Sequence, residues 1–199
     1  MAFEIELKFV HVDLSVVREK LSALGGLCKG RHLERNVVFD SPQREMKEEG
    51  KLLRLRTKQW KDSHETVLTL KLPPKGDIPE DVKIYDERET LVESFDGTYA
   101  ILEGLGYDGA FRYDKMREEW VLDNVVICLD ELSFDTVIEL EGERDDILSL
   151  AEKLVLPKES ASTATYHELH KAYRESLGLA PQDSFYFSEE ECQSLLKTL

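Results

Sequence analysis

Glu4-Ile5-Glu6-Leu7-Lys8-Phe9, almost at the start of the chain, alternates charge with hydrophobe. Successive side chains of a β-strand point to opposite faces, so Glu4, Glu6 and Lys8 share one face while Ile5, Leu7 and Phe9 share the other. One such strand by itself reads as an amphipathic strand with a solvated face. Recurrence changes that reading. Basic pairs at i and i+2 stand in Arg54-Leu55-Arg56 and Lys115-Met116-Arg117, and Lys71 ends Thr69-Leu70-Lys71. Acidic pairs stand in Glu87-Arg88-Glu89 and Glu139-Leu140-Glu141, and Asp130 closes a run that begins near Val125.

Like charges two residues apart on a strand lie roughly 6.5–7 Å from each other and repel by about 2 kcal/mol at an effective dielectric near 20. The residues between these charges are mostly apolar, so the opposite face is buried as well. In a small closed barrel this places an apolar layer outside, under helices, and a charged layer inside. Unpaired buried charges are too costly for a packed core, so the interior is expected to be a wet tunnel filled by ions and a charged ligand. On this reading, replacing Arg54 or Arg56 with alanine should spare or even strengthen the fold by relieving repulsion.

Lys8, Arg54, Arg56, Lys71, Lys115 and Arg117 supply more positive charge than one phosphate needs, and arginine forks suit phosphate oxygens. Carboxylates in the same tunnel would repel a polyphosphate unless divalent cations lay between them. Carboxylate oxygens suit Mg²⁺ or Mn²⁺, which bind through a few carboxylates and substrate phosphates. A linear triphosphate with one or two metal ions fits the inventory.

The 199 residues are enough for one ordinary domain. With 41 acidic and 26 basic residues the net charge is −15, which disfavours nucleic acid and anionic membranes as partners. Cys28, Cys128 and Cys192 are few and widely spaced, which suits a reducing compartment and neither a disulfide framework nor a zinc site. No apolar run approaches a membrane span and the charged start does not resemble a signal peptide, so a soluble cytoplasmic protein is expected.

Asp13 can cap a helix that runs to Leu24 and stops at Gly25-Gly26. Strand-like runs follow at 36–40, 52–58 and 65–72. Pro73-Pro74-Lys75-Gly76 reads as a turn and the polar stretch to Val82 as mobile, with a strand at 82–92, a helix at 97–105 and strands at 111–122, 125–131 and 136–141. Eight strands with short connections predict an α+β fold, an eight-stranded antiparallel barrel with helices packed outside. Helices are expected at 145–154 and 162–177. An amphipathic piece at 188–199 opens on a capping-box pattern, Ser188 and Glu191. The barrel domain spans residues 1–178 and a C-terminal extension spans 179–199. Each half of the barrel opens with Glu-x-Glu, at Glu4 and at Glu87, and continues with a helix and three strands, the pattern of a duplicated architecture. The charge run from Glu45 to Lys51 reads as a solvated loop whose cations could gate one tunnel mouth.

The ordered set Glu4-x-Glu6-x-Lys8, Arg54-x-Arg56, Lys71, Lys115-x-Arg117, Asp130 and Glu139-x-Glu141 resembles the signature of the CYTH superfamily, the triphosphate tunnel metalloenzymes, over residues 3–175. That family includes inorganic and thiamine triphosphatases, class IV adenylate cyclases and RNA triphosphatases. The resemblance implies that Arg54, Arg56, Lys115 and Arg117 clamp phosphates and that Lys8 and Lys71 complete the cradle. It implies that Glu4, Glu6, Asp130, Glu139 and Glu141 hold metal directly or through water. Glu87 and Glu89 match its acidic pair on the fifth strand more loosely, and the opening Glu4, Glu6 and Lys8 take the catalytic part. One departure is Thr165-Tyr166, where some triphosphatases carry a lysine before the aromatic of the late helix.

The expected activity is divalent-metal-dependent hydrolysis of an inorganic or organic triphosphate. Its partner would be that small molecule, with no nucleic acid or membrane involved and a homodimer left open. One rival is a class IV adenylate cyclase, although the His-Phe pair that precedes the opening motif in such cyclases is absent here. The other is a non-catalytic polyphosphate-binding module, which would need cations but not this acidic set. His167 and His170 read as surface or core residues, and Trp60 and Trp120 as packing at strand ends.

Overall fold

The computed structural model describes residues 2–74, 79 and 81–199, so most of the polar stretch after Pro74 lies outside the described residues. The chain runs β1 (Ala2–Val10), α1 (Leu14–Ala23), β2 (Leu27–Asp40), α2 (Glu45–Glu48), β3 (Leu52–Gln59), β4 (His64–Leu72), β5 (Lys83–Val92), α3 (Phe95–Gly104), β6 (Asp108–Leu122), β7 (Val125–Glu131) and β8 (Thr136–Glu141). It continues through α4 (Arg144–Lys153), a short 3₁₀ turn, β9 (Ala161–Ser162), α5 (Tyr166–Ser176) and α6 (Glu189–Leu196). The strands pair in the order β5-β4-β3-β2-β6-β7-β8-β1, and β1 pairs back onto β5. Every pairing is antiparallel, so the sheet closes into the eight-stranded barrel expected from the sequence. β9 takes over the edge of β1 where β5 ends, pairing Lys8 with Ser162. Each half is a strand, a helix and three strands, as the repeated Glu-x-Glu opening suggested, except that the short α2 stands between β2 and β3 in the first half. Among the described residues, no helix is long and apolar enough to cross a membrane.

Local chemistry sets the element ends. Asp13 accepts hydrogen bonds from the backbone N–H groups of Ser15 and Val16, and Gly25, at φ +82°, ends α1 in a conformation that favours glycine. Ser188 and Glu191 form the expected capping box of α6, and Thr165 and Glu168 form another on α5. Two expectations are corrected. β2 begins nine residues before Asn36, carried past an irregularity between Cys28 and Gly30. The 45–51 run is no simple loop, because the buried Asp40 carboxylate accepts from the N–H groups of Met46 and Lys47 and winds the turn of α2.

The apolar faces pack outward. α1 and α4 cover Leu7, Phe9, Ile127, Leu129, Ile138 and Leu140, α3 covers Val37, Phe39, Leu53 and Leu55, and Cys192 of α6 with Phe187 just before that helix covers Leu33 and Met116. Each fully buried side chain of this kind contributes roughly 1.5–3 kcal/mol.

The C-terminal extension is part of the fold. Phe185 bonds through its backbone to Arg112 and Asp114 along the stretch of β6 that β7 leaves unpaired. Its ring packs against Tyr113, Phe134 and His170 and is 3% exposed. Phe185→Ala is therefore expected to cost about 3–5 kcal/mol, read as a lower Tm in thermal denaturation. An unchanged Tm would show that the extension does not hold this end of the barrel.

Candidate active site

The alternation of the strands places the charged side chains inside. Glu4, Glu6 and Lys8 of β1, Arg54 and Arg56 of β3, Lys71 of β4, Glu87 and Glu89 of β5, Lys115 and Arg117 of β6, and Glu139 and Glu141 of β8 all line one cavity of ≈ 850 Å³. Asp130 of β7 lies behind that lining, 0% exposed. Its carboxylate takes Arg117 in a fork of 2.8 and 2.6 Å, accepts from Lys115 at 3.2 Å and accepts the hydroxyl proton of Tyr166. Asp130 therefore fixes Arg117 and is not gathered with the other carboxylates.

The sequence-based expectation of mutual repulsion is overturned by the register. Each like-charged pair meets opposite charges that other strands bring into the tunnel. Arg56 is 3.1 Å from both Glu34 and Glu89, and Arg54 is 3.6 and 3.5 Å from Glu87 and Glu89. Lys115 is 3.5 Å from Glu34, Lys8 is 2.9 Å from Glu139, and Lys71 is 3.1 Å from Glu87 and also pairs with Glu4. Arg117 pairs with Glu139 as well as Asp130. Removing an arginine thus strips a partner from a buried carboxylate, which reverses the expected stabilisation.

Glu34 was missed by sequence reading, although it is 0% exposed at the centre of this network. Arg35 breaks the apolar alternation just before Asn36, but Leu33, Val37 and Phe39 are buried on the outer face. Extending their period backwards would have put Glu34 inside. Tyr113, which accepts from Arg54 at 3.2 Å, and Thr69, which donates to Glu89 at 2.7 Å, also belong to the tunnel. Tyr166, at the start of α5, closes over the tunnel with its ring 5.3 Å from the Lys8 ammonium and 5.1 Å from that of Lys115. His167 lines the cavity and bonds Asp183 at 3.0 Å, while outside the site His170 packs among aromatic rings, Trp120 sits in the core and Trp60 lies against His32.

The charges are unevenly balanced. Burial opposes ionisation of Glu34 and Glu139, yet Arg56 and Lys115 for the first, and Lys8, Arg117 and Lys115 for the second, hold both carboxyls well below the usual range. Burial also opposes Glu4, which Lys71 and a hydrogen bond with Glu87 hold low. Burial pushes Glu87 up to about 8, helped by the proton shared with Glu4. Glu141 rises to about 7 through burial and the nearby Glu139, Glu4 and Glu6, against the pull of Arg117. Negative charge is therefore in excess where β1 meets β8.

There, oxygens of Glu4, Glu6 and Glu141 lie within 4.8 Å of one another, and Cys128, Glu139 and Glu141 form a second such group. Three carboxylates with surplus charge fit a hard divalent cation, whereas the thiol of Cys128 makes the second group the poorer host for one. On the cationic side, the buried Nε atoms of Arg54 and Arg56 have no hydrogen-bond partner among the described residues. Buried donors seldom stay unmet, so an acceptor-rich ligand suits this wall.

A family model described as the CYTH domain matches residues 2–166. No curated protein matches the sequence. Among solved structures, a protein of Pyrococcus horikoshii is 27% identical, covers 84% of this chain and 97% of its own, and superposes with a TM-score of 0.69. A candidate adenylate cyclase of Vibrio parahaemolyticus, 21% identical, covers 84% of this chain and 97% of its own with a TM-score of 0.74. The adenylyl cyclase candidate HpAC1 of Hippeastrum, described by a dominant triphosphatase activity, is 20% identical and covers 91% of this chain and 98% of its own with a TM-score of 0.61. With the closed barrel, its charged interior and a family match over most of its length, this chain belongs to the CYTH domain family.

Proposed function

We propose that this protein hydrolyses a terminal phosphoanhydride bond of a triphosphate in a reaction that depends on Mg²⁺ or Mn²⁺. The observation that carries the reading is the convergence of Lys8, Arg54, Arg56, Lys71, Lys115 and Arg117 on one cavity that also holds the surplus carboxylates. A binding module would need the cations alone. The triphosphatase activity described for HpAC1, which shares the fold, agrees with it. The partner is a small molecule, and the net charge of −15 disfavours nucleic acids and anionic membranes.

Arg54, Arg56, Lys115 and Arg117 bind the phosphate chain, and Lys8 and Lys71 extend the cradle towards the carboxylates. Phosphate oxygens would take over from Glu87 and Glu89 as acceptors for Arg54 and Arg56, including the free Nε atoms. Asp130 keeps the Arg117 fork oriented, and Tyr166 in turn holds Asp130. Held this way, the cations spread the charge of the transferring phosphoryl group and cost no reorganisation in the transition state. Glu4, Glu6 and Glu141 would hold the divalent ion, which supplies Lewis-acid polarisation and neutralises the gathered charge. Water is the nucleophile and attacks the terminal phosphorus in line with the leaving phosphate.

Incubation with Mg²⁺ or Mn²⁺ and, separately, inorganic triphosphate, ATP and thiamine triphosphate tests the reading. Phosphate and pyrophosphate from inorganic triphosphate are expected, with any ATP turnover giving mainly ADP and phosphate. Cyclic AMP and pyrophosphate as the main products, with inorganic triphosphate intact, would make the protein a cyclase.

The raised carboxyls give a second expectation. Glu87 and Glu141 carry protons in the folded state up to about 8 and about 7, but in the unfolded chain lose them near 4.5. The folded state therefore binds more protons between these values, and without divalent metal its Tm should fall as pH rises from 5 to about 8.5. Mn²⁺ should restore Tm most at the alkaline end. A Tm that rises over this range in metal-free buffer would contradict the surplus of charge.

A further inference from the structure

The inner faces of β2 and β3 continue past the cradle. Period two carries β2 from Val38 through Asn36 and Glu34 to His32, and β3 from Arg54 through Arg56 and Lys58 to Trp60. The register that pairs Leu33 with Gln59 brings His32 up to Trp60 in the next row, and the two rings meet at 4.9 Å between centroids. His32 is 3% exposed and lies behind the residues that line the cavity.

His32 Nε2 lies 3.2 Å from Glu34 Oε1. Arg56 and Lys115 keep the Glu34 carboxyl ionised, so it accepts and the imidazole donates. The same oxygen accepts from Arg56 Nη1 at 3.1 Å. Glu34 Oε2, with no hydrogen-bond partner among the described residues, faces Lys115 at 3.5 Å. One carboxylate is therefore anchored by His32 and shared by two phosphate-binding cations from different strands. Trp60 packs against the imidazole and limits its rotation. Without the imidazole bond, a carboxylate bonded to Arg56 alone is free to turn with that guanidinium or towards Lys115. Neither cation then keeps a fixed aim. A buried polar network holds one geometry only while its members are satisfied.

We propose that His32 is a positioning residue for the phosphate-binding wall: by donating to Glu34 it fixes the carboxylate that aims Arg56 and Lys115 into the tunnel. The role rests on the triphosphate reading of the tunnel and adds to it a residue that never touches the substrate.

The test uses His32→Leu and His32→Asn, which cannot donate at the place of Nε2, and His32→Gln, whose amide nitrogen can. With Mn²⁺ and inorganic triphosphate, the first two should lower kcat about tenfold and move KM less than about twofold. Six cations share ground-state binding, whereas the developing charge needs Arg56 in place. His32→Gln should return kcat to within about threefold of the parent. In a Glu34→Gln background, His32→Leu should change kcat by less than about twofold further, because its route through Glu34 is already gone. A full additional loss in that background, or a raised KM at unchanged kcat, would overturn the proposal. The Nε–H signals of arginine in ¹⁵N-edited NMR read the same claim without turnover. The Arg56 signal, identified by its loss in Arg56→Lys, should shift or broaden in His32→Asn and stay in place in His32→Gln. An unmoved Arg56 signal in His32→Asn would overturn the positioning role whatever the activity. A moved signal in a protein whose wild type leaves inorganic triphosphate intact would support the positioning and overturn the hydrolase reading alone.

Discussion

Arg56→Ala is expected to lower kcat/KM for inorganic triphosphate by about a hundredfold or more, the scale of removing one preorganised donor from a developing phosphoryl charge. The same variant should also be less stable. Arg56 is 3.1 Å from Glu34, a carboxylate with no exposure whose other cationic neighbour is Lys115 at 3.5 Å. Breaking a buried pair on one side costs roughly 3–5 kcal/mol, and the surviving Lys115 contact puts this case near the lower end. Arg54→Ala separates the two effects. Its partners Glu87 and Glu89 have side chains 16% and 38% exposed and are more readily rehydrated than Glu34, so activity should fall as far while Tm falls less. Phosphate release and thermal denaturation of both variants check this. Activity within about threefold of the parent in both would remove β3 from the phosphate-binding wall.

Glu141→Gln carries the second large effect. The substitution keeps size and hydrogen-bonding shape but removes charge. Arg117, at 3.8 Å, is the cation nearest to Glu141 among the described residues. The concentration of Mn²⁺ giving half-maximal activity should rise by about tenfold or more, equivalent to losing roughly 1.4 kcal/mol of ion binding. High Mn²⁺ should recover part of the rate, and the fold should be unharmed because Glu141 opposes its own charge. Glu139→Gln should behave differently, since Lys8, Arg117 and Lys115 all lean on that carboxylate and lose their balance without it. Metal titrations of activity, with Tm measured alongside, distinguish the two positions. An unchanged Mn²⁺ requirement in Glu141→Gln would place the metal elsewhere.

The barrel was legible because period-two alternation survives wherever both faces of a strand are buried for different reasons. Ile5, Leu7 and Phe9 are held under helices while Glu4, Glu6 and Lys8 are held by one another and by neighbouring strands. Glu34 was not legible because a single exposed residue, Arg35, interrupts the outer stripe and hides the strand's first half. Nor could one strand's sequence show which charges meet. Arg117 reaches Asp130 and Glu139 because β6, β7 and β8 are in a particular register, and register is a property of the closed sheet. The roles of Tyr166, Phe185 and α2 follow from tertiary docking onto one end of the barrel, which leaves no local periodicity to read.

A crystal grown with Mn²⁺ and a non-hydrolysable imido analogue of triphosphate, measured with anomalous scattering, tests the central claim most directly. The account places the analogue along the wall of Arg54, Arg56, Lys115 and Arg117, and a Mn²⁺ peak among Glu4, Glu6 and Glu141. Manganese outside that carboxylate group, or the analogue bound outside the tunnel with the cradle cations still paired to Glu34, Glu87 and Glu89, would contradict it.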